Sequence, residues 1–340
     1  MITHSKPTIE ASDIAAIKKV LAYKQIASGQ LAEKFGSELK KFFKAKQVVL
    51  TPSGTEALVE ALKLLKIENT DEVIIPAYVC SNVARAVLIA GAKPVVADIN
   101  RHDYNISYES VAKKITKNTK AVIVPHIFGN PVVDIKKFLK LGVVVIEDVA
   151  QAIGGVCQGR RLGSFSDMTV CSFYATKMIT TGEGGALAIR RPDLRKRFDV
   201  NKYLYKMPDF QAALGLSQLR KVNSFIRCRQ RLAGRYAKGL KNIQGCLISK
   251  PKGSAFYRCI IEIEQSRLHR FTTQMRKQGI AVSHFTDLAL TYLNLGGKLY
   301  PNASQAMKKV VSLPLYPSLT GRDISDIIKC TKKLLPRLRI

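Results

Sequence analysis

The stretch "QVVLTPSGTEALVEALKLLKIENTDEVIIPAY", residues 47–78, decides the fold. It opens on a short β-branched run, "QVVLT", and turns through Ser53-Gly54-Thr55. It then shows apolar residues at helical spacing in "EALVEALKLLK" and returns to a second β-branched run, "EVIIP". The period changes from strand to helix and back within one unit, which is the signature of a strand–helix–strand crossover. The same rhythm continues through "SNVARAVLIAG", "KPVVAD", "YESVAKKI", "AVIVP", "VVDIKKFLK" and "GVVVIED", and ends in two further apolar runs, "TVCSF" and "GALAI". Such alternation predicts a mostly parallel sheet with helices on both faces. The strands are nearly continuous apolar runs, as strands buried on both faces require.

Outward from this core, the first forty residues read as helices. "SDIAAIKKVLAY" offers Ser12 as an N-cap and Ile14, Ile17 and Leu21 as its apolar stripe. "QLAEKFGSELKKFF" repeats Leu31, Phe35, Leu39 and Phe42. Beyond residue 190 a long helical pattern, "FQAALGLSQLRKVNSFIRCRQRLAGRYAKGL", leads to an alternating strand, "FYRCIIEI". A helix around "HRFTTQMRKQG", a short strand at "IAVS" and a last helix after "PSLTGRD" follow. The pattern divides the chain into a large α/β domain over 1–225, with its helical N-terminal segment, and a smaller α+β domain over 226–340.

The 340-residue length allows a sizeable core. The polar, acid-bearing start, "MITHSKPTIEASD", does not read as a signal peptide, and no apolar run reaches the roughly 18 residues of a membrane span. Seven scattered cysteines without a CxxC pair indicate reduced thiols and a cytoplasmic setting. Cys157, Cys171, Cys228, Cys246, Cys259 and Cys330 read as small apolar fillers or surface thiols. Lys and Arg number 55 against 25 Asp and Glu, a net charge of +30. The basic residues are dispersed, from "KFFKAK" and "KKITKNTK" to "RRPDLRKRF" and the terminal "KKLLPRLR". No nucleic-acid motif accompanies them, so solvated helix faces account for them better than a nucleic-acid partner does.

Three features fall at the carboxyl ends of strands, where ligands bind in such sheets. The first is the Ser53-Gly54-Thr55 turn before a helix. Glycine admits close backbone approach, and a helix start offers free N–H groups to an anion. It lacks the spacing of an NTPase loop. Taken alone, an ordinary helix capped by Ser53 or Thr55 explains it as well. The second is Asp148, at the tip of "GVVVIED", where a buried carboxylate needs a partner. A structural salt bridge, a metal or a protonated ring nitrogen would serve, but no metal-ligand spacing surrounds it. Gln151 lies one turn on. The third is "SFYATKMITTGEGG", 172–185, which places Lys177 among Ser172, Thr176 and Thr180, whose hydroxyls can donate to anionic oxygens, before three glycines. A desolvated lysine can lose its proton and attack a carbonyl. Anion cradle, strand-tip aspartate and loop lysine together match the needs of pyridoxal phosphate (PLP): a phosphate site, a carboxylate for the pyridine nitrogen and an amine for the aldehyde.

The chain resembles the sugar aminotransferases of the DegT/StrS type, within the aspartate-aminotransferase-like PLP enzymes. The residues that carry the resemblance are "PSGTEAL", "DEVIIPAY", "AGAKPVVADIN", "PHIFGNP", "VIEDVAQAIGG", "GSFSDMTVCSFYATKMITTGEGGALAI", "QAALGLSQL" and "LPLYPSLT", in family order from about 7 to 330. The resemblance implies a type I PLP fold, with a mostly parallel seven-stranded sheet in an α/β/α large domain and a small α+β C-terminal domain. It implies that Lys177 forms the Schiff base, that Asp148 pairs with the pyridine nitrogen and that Gln151 contacts the phenolic oxygen. Gly54, Thr55 and Ser172 would hold the phosphate. It implies a homodimer with shared active sites that moves an amino group, usually from glutamate, onto a nucleotide-linked keto sugar for surface glycan or secondary-metabolite synthesis. Relatives that dehydrate carry histidine in place of the lysine.

The chain departs from the family pattern in three places. Cys80 stands where an aromatic residue often stacks on the cofactor ring, with Tyr78 two residues away. The segment 190–203 is short. "LYKM", 204–207, replaces a pattern like "NYRM", so Leu204 loses a hydrogen-bonding side chain and Lys206 loses the planar fork of arginine. Tyr78, His126, Asn130 and Lys206 are candidate substrate contacts, with a turn role also open to His126 and Asn130. These departures keep two alternatives in view: other PLP chemistry on the same scaffold, such as dehydration or transamination of a non-sugar, and a non-catalytic paralogue with a binding role.

Overall fold

The computed structural model describes residues 1–199, 203–243 and 252–335. Cys246, residues 200–202 of the short segment and the last residues of "KKLLPRLR" lie outside them.

Seven strands form the central sheet: β1 (Gln47–Thr51), β2 (Glu72–Pro76), β3 (Lys93–Ala97), β4 (Thr119–Pro125), β5 (Val144–Asp148), β8 (Met168–Ser172) and β9 (Gly185–Ile189). Between β5 and β8 a two-stranded hairpin, β6 (Val156–Cys157) with β7 (Arg160–Arg161), stands apart. The sheet order is β1-β9-β8-β5-β4-β2-β3. All pairings from β8 to β3 are parallel, and β9 runs antiparallel to both its neighbours, β1 and β8. The carboxyl ends of β1, β2, β4, β5 and β8 therefore share one edge, and the amino end of β9 meets them there. This is the mostly parallel, seven-stranded architecture that the resemblance implies.

Both faces of the sheet are covered. Val73, Ile75, Ile123, Ile146 and Leu187 pack with the helices Gly54–Lys63 and Ser81–Ile89. Ile74, Val122, Val145, Cys171 and Ala186 pack with Phe35, Leu39 and Phe43 of the helix Gln30–Phe43, and with Ala212 and Leu216 of the helix Asp209–Gly239. Adjacent residues of one strand go to opposite cores, which is the period of two.

The N-terminal helices dock through carboxylates. Helix Ala11–Ala22 is capped by Glu10, whose N–H donates to Asp13 Oδ2 at 2.9 Å, rather than by Ser12. Ser12 lies inside the first turn and accepts from Lys221. The expected apolar stripe is not the buried face. Ile14 is 60% and Leu21 54% exposed, while Asp13 and Val20 are buried. The helix faces Asp13 inward because Ser217, Gln218 and Lys221 of the long helix all donate to its carboxylate, at 2.6, 2.9 and 2.6 Å. The helix Gln30–Phe43 begins at Gly29 with no side-chain cap of its own. Asp209 supplies one, accepting from the N–H groups of Gly29, Leu31 and Ala32.

The long helix Asp209–Gly239 crosses position 225/226, the boundary expected from sequence. Up to Ile226 its apolar residues belong to the large core, and from Leu232 they belong to a second one. That second core lies under an antiparallel sheet of β10 (Cys259–Glu262), β12 (Val310–Leu313) and β11 (Ser283–His284), with the helices Gln265–Lys277 and Gly321–Leu334. The strand expected at "IAVS" forms three residues later than its start, at Ser283–His284.

Burial alone would raise the Asp13 carboxyl, but hydrogen bonds from Lys221, Ser217 and the Glu10 N–H, with the Lys221 charge, hold it below the usual carboxylate range. Its stabilising effect is complete above the ordinary value of about 3.9 and fades as pH falls through the lower folded value. Asp13→Asn is expected to cost about 1.5–3 kcal/mol at neutral pH, the range for hydrogen bonds to a charged group, and to cost little at pH 2. Urea melts of both proteins across this pH range check it.

Candidate active site

At the shared strand edge lies a cavity of about 430 Å³, bordered by Ser53, Gly54, Thr55, Cys80, His126, Asp148, Gln151, Ser172 and Lys177, with Asn82, Tyr174 and Glu183. Nine of the residues singled out in the sequence thus meet here, from segments more than a hundred residues apart.

One wall is a row of backbone made by the reversed strand. Gly185 of β9 pairs with Thr51 on one side and Ser172 on the other. A Cβ on Gly185 would stand 2.4 Å from the Ser53 carbonyl oxygen, and one on Gly54 would stand 2.8 Å from Ser172 Cβ. Only glycine lets the three segments close up here. Ser53 is the N-cap, its Oγ accepting from Glu56 N–H at 3.1 Å. The first-turn N–H groups of Gly54 and Thr55 have no intrahelical acceptor and border the cavity. With the helix dipole behind them they form a site for an anion.

The floor is the end of β5. Asp148 is buried between Pro125 of β4 and Val170 of β8 in the strand register. Its Oδ1 accepts from Ala150 N–H at 2.8 Å. Burial pushes its pKa up, against the pull of that N–H and of the Lys177 charge. A carboxyl in this state favours a positively charged hydrogen-bond donor in front of it. Among the described residues no group of three His, Cys, Asp or Glu is placed to hold a metal.

Lys177 comes from the loop between β8 and β9. The loop closes on itself: Phe173 N–H donates to Gly184 O at 2.8 Å, Thr181 N–H to Phe173 O at 3.0 Å, and Gly182 N–H to Thr180 Oγ1 at 2.9 Å. Thr180 also donates to Phe173 O. Thr180 therefore builds the loop rather than facing an anion, as its place in the sequence suggested. Lys177 is half-buried, and its Nζ lies 5.3 Å from the ring centroid of Tyr257.

Gln151 Oε1 accepts from Phe128 N–H at 2.8 Å, which leaves its amide N–H groups available to the cavity. His126 borders the cavity but both ring nitrogens are engaged. Nδ1 accepts from Val132 N–H at 3.0 Å, and Nε2 donates to Glu147 at 3.0 Å. Burial alone would raise the Glu147 carboxyl, yet His126 and the N–H groups of Gly163 and Phe165 hold it low. Cys80, exposed, caps the helix Ser81–Ile89 at the cavity rim. Tyr78, Asn130 and Lys206 do not border the cavity. Tyr78 is buried in an aromatic cluster with Tyr104, Phe128 and Phe285. Asn130 Oδ1 accepts from Ser254 and serves the turn. Lys206 is exposed beside Tyr205 and Met207 in a separate crevice.

Sequence reasoning missed Glu147 and Tyr257. Glu147 stands in the quoted "IED" but looked like part of an apolar strand. Tyr257, just ahead of β10, lies far from every motif. It reaches the site because Gly129, at φ +87°, packs where a Cβ would stand 2.8 Å from Tyr257 N.

Comparison with known proteins agrees with this geometry. Residues 7–332 match the model of the DegT/DnrJ/EryC1/StrS aminotransferase family. The chain is 30% identical to the spore coat polysaccharide biosynthesis protein SpsC of Bacillus subtilis, covering 98% of this chain and 97% of that one. It is 29% identical to a GDP-perosamine synthase of Vibrio cholerae, covering 98% of each. The crystal structure of the aminotransferase TlmJ from Streptoalloteichus hindustanus superposes with a TM-score of 0.90 at 29% identity, over 98% of both chains. With a matching family model over nearly its whole length, this chain belongs to the DegT/DnrJ/EryC1/StrS aminotransferase family.

Proposed function

We propose that the chain is a PLP-dependent aminotransferase that moves an amino group, with glutamate as donor, onto a keto sugar carried by a nucleotide diphosphate, for glycan or secondary-metabolite synthesis. The observation that carries this reading is the convergence of Lys177, Asp148 and the Gly54–Thr55 N–H groups on one cavity. The donor set fits the cofactor: an anion site, a buried carboxyl that favours a protonated partner and an amine share one space. The family supplies the reaction class, and the V. cholerae relative, named for a GDP-linked product, supports a nucleotide-bound substrate.

When bound, PLP supplies an electron sink joined to a carbonyl that accepts and releases an amino group. Gly54 and Thr55, through their N–H groups, and Ser172, through its hydroxyl, hold the phosphate. Asp148 keeps a proton on the ring nitrogen. Gln151 presents its amide N–H to the ring's phenolic oxygen, with its own orientation fixed by Phe128. Lys177 Nζ would hold the cofactor covalently, and as a free amine it would be the group that carries the substrate proton. Cys80 takes the place of a stacking ring, which leaves more open space on that face.

The same proposal includes a cytoplasmic homodimer. Leu204 is 89%, Tyr174 48% and Phe210 37% exposed, apolar surface that a second subunit would cover, and Tyr174 borders the cavity. Among the described residues no helix is long and apolar enough to cross a membrane.

Three outcomes test the assignment. Borohydride reduction of the PLP-treated protein is expected to fix the cofactor on the peptide holding Lys177, and Lys177→Ala to abolish the adduct; an adduct on another lysine would overturn the role. Asp148→Asn is expected to weaken PLP binding about 10- to 100-fold, the equivalent of losing a charge-assisted hydrogen bond, read by absorbance titration. Gly54→Ala places a Cβ against Ser172 and is expected to lower PLP affinity about tenfold, within the range for overpacking, while the far-ultraviolet circular dichroism stays unchanged.

A further inference from the structure

Behind Lys177 stands a cluster that none of the motifs includes. Tyr257 is buried, with Lys177 Nζ 5.3 Å from its ring centroid and the Arg258 guanidinium 4.4 Å from the same point. Arg258 Nη2 donates to the phenol oxygen at 3.2 Å, and the Thr176 side chain hydrogen-bonds to it as well. From the long helix, buried Arg229 donates Nη1 to the carbonyls of Tyr257 at 3.2 Å and Leu315 at 2.7 Å. Behind Arg258 lies His4, 3.2 Å from its Nη1 and bonded to Ser312. Burial, then the Arg258 charge, pushes His4 down to about 3, so it is neutral and adds no charge at working pH.

Three cations thus surround Tyr257, Arg258 at its phenol oxygen, Lys177 over its ring and Arg229 at its main-chain carbonyl. Among the described residues no carboxylate forms an ion pair with Lys177, Arg229 or Arg258. Asp148 interacts with Lys177 only at longer range. Like charges gathered away from water repel strongly, and a neighbour that can become an anion relieves them. The phenol oxygen accepts from Arg258, and the Lys177 ammonium lies over the same ring. Burial alone would raise it, but the charges of Lys177, Arg258 and Arg229, with the Thr176 hydrogen bond, hold it below the ordinary tyrosine value.

We propose that Tyr257 is the proton partner of Lys177, its phenolate taking a proton from the Lys177 ammonium and later returning it. In the forward direction the Nζ–H bond breaks and its electron pair stays on nitrogen as the lone pair of the free amine. An Oη–H bond forms, and the two opposite charges cancel. Lys177 thereby reaches its nucleophilic form without releasing a proton to bulk water. The inference rests on the assignment of Lys177 as the cofactor-binding lysine.

The test begins on the cofactor-free protein, labelled with carbon-13 at the tyrosine Cζ and titrated by NMR. The Tyr257 resonance, identified by its loss in Tyr257→Phe, is expected to titrate below about 10. Lys177→Met is expected to raise its midpoint by about one unit or more. A midpoint at or above the ordinary value, or one indifferent to Lys177→Met, overturns the proposal. Borohydride mapping reports separately whether Lys177 holds PLP, so failure of that assignment is distinguishable. In the loaded enzyme, Tyr257→Phe is expected to keep the Lys177 adduct but alter the pH profile of the donor half-reaction. A fluorinated tyrosine at 257, more acidic but nearly the same shape, is expected to move one limb of that profile to lower pH. An unchanged limb in the fluorinated protein overturns the proton role, whether or not Tyr257→Phe folds.

Discussion

The site depends on one close approach. Where β9 enters the sheet, the Gly185 backbone lies against Ser53 and Gly54, too near for any side chain. That contact exists because β9 runs against its neighbours, so its first residue meets the last residues of β1 and β8. A parallel β9 would present its other end, and the loop that carries Lys177 would close elsewhere. The reversal brings an anion site and a lysine loop to the same edge as the tip of β5. The chemistry is therefore a consequence of strand direction as much as of residue type.

Beneath that edge lies a second, purely structural layer of charge. The His126–Glu147 pair is fully buried, and three further donors, the N–H groups of Gly163 and Phe165 and the Ser166 hydroxyl, share the Glu147 carboxylate. Glu147 and Asp148 are neighbours in one strand and face opposite ways. One ties the β7–β8 connection to the sheet, and the other faces the cavity. The alternation of a strand thus separates a framework carboxylate from a cavity-facing one within two residues.

The strand–helix alternation and the residues at strand ends were legible because they are local patterns. Each of Gly54, Asp148 and Lys177 follows a strand whose apolar run announces it. What was illegible came from partners distant in sequence. Ile14 and Leu21 satisfy a helical apolar period, yet the buried face belongs to Asp13, because three donors on a helix two hundred residues later compensate its charge. Thr180 looked like an anion donor because its loop geometry was unknown. Tyr257 was invisible because nothing in "FYRCIIEI" marks which residue meets a lysine eighty positions earlier. Periodicity reports which face is apolar; it does not report which polar groups find each other.

The cap that Asp209 places on the helix Gln30–Phe43 has a consequence for how the chain assembles. The helix's first N–H groups wait for a carboxylate about 180 positions downstream, and the preceding helix waits for Ser217, Gln218 and Lys221. During synthesis at about 5–20 residues per second, the amino-terminal helices emerge many seconds before their anchors. Helices made earlier thus settle only once the long helix has arrived, and until then their apolar residues stay open to other contacts.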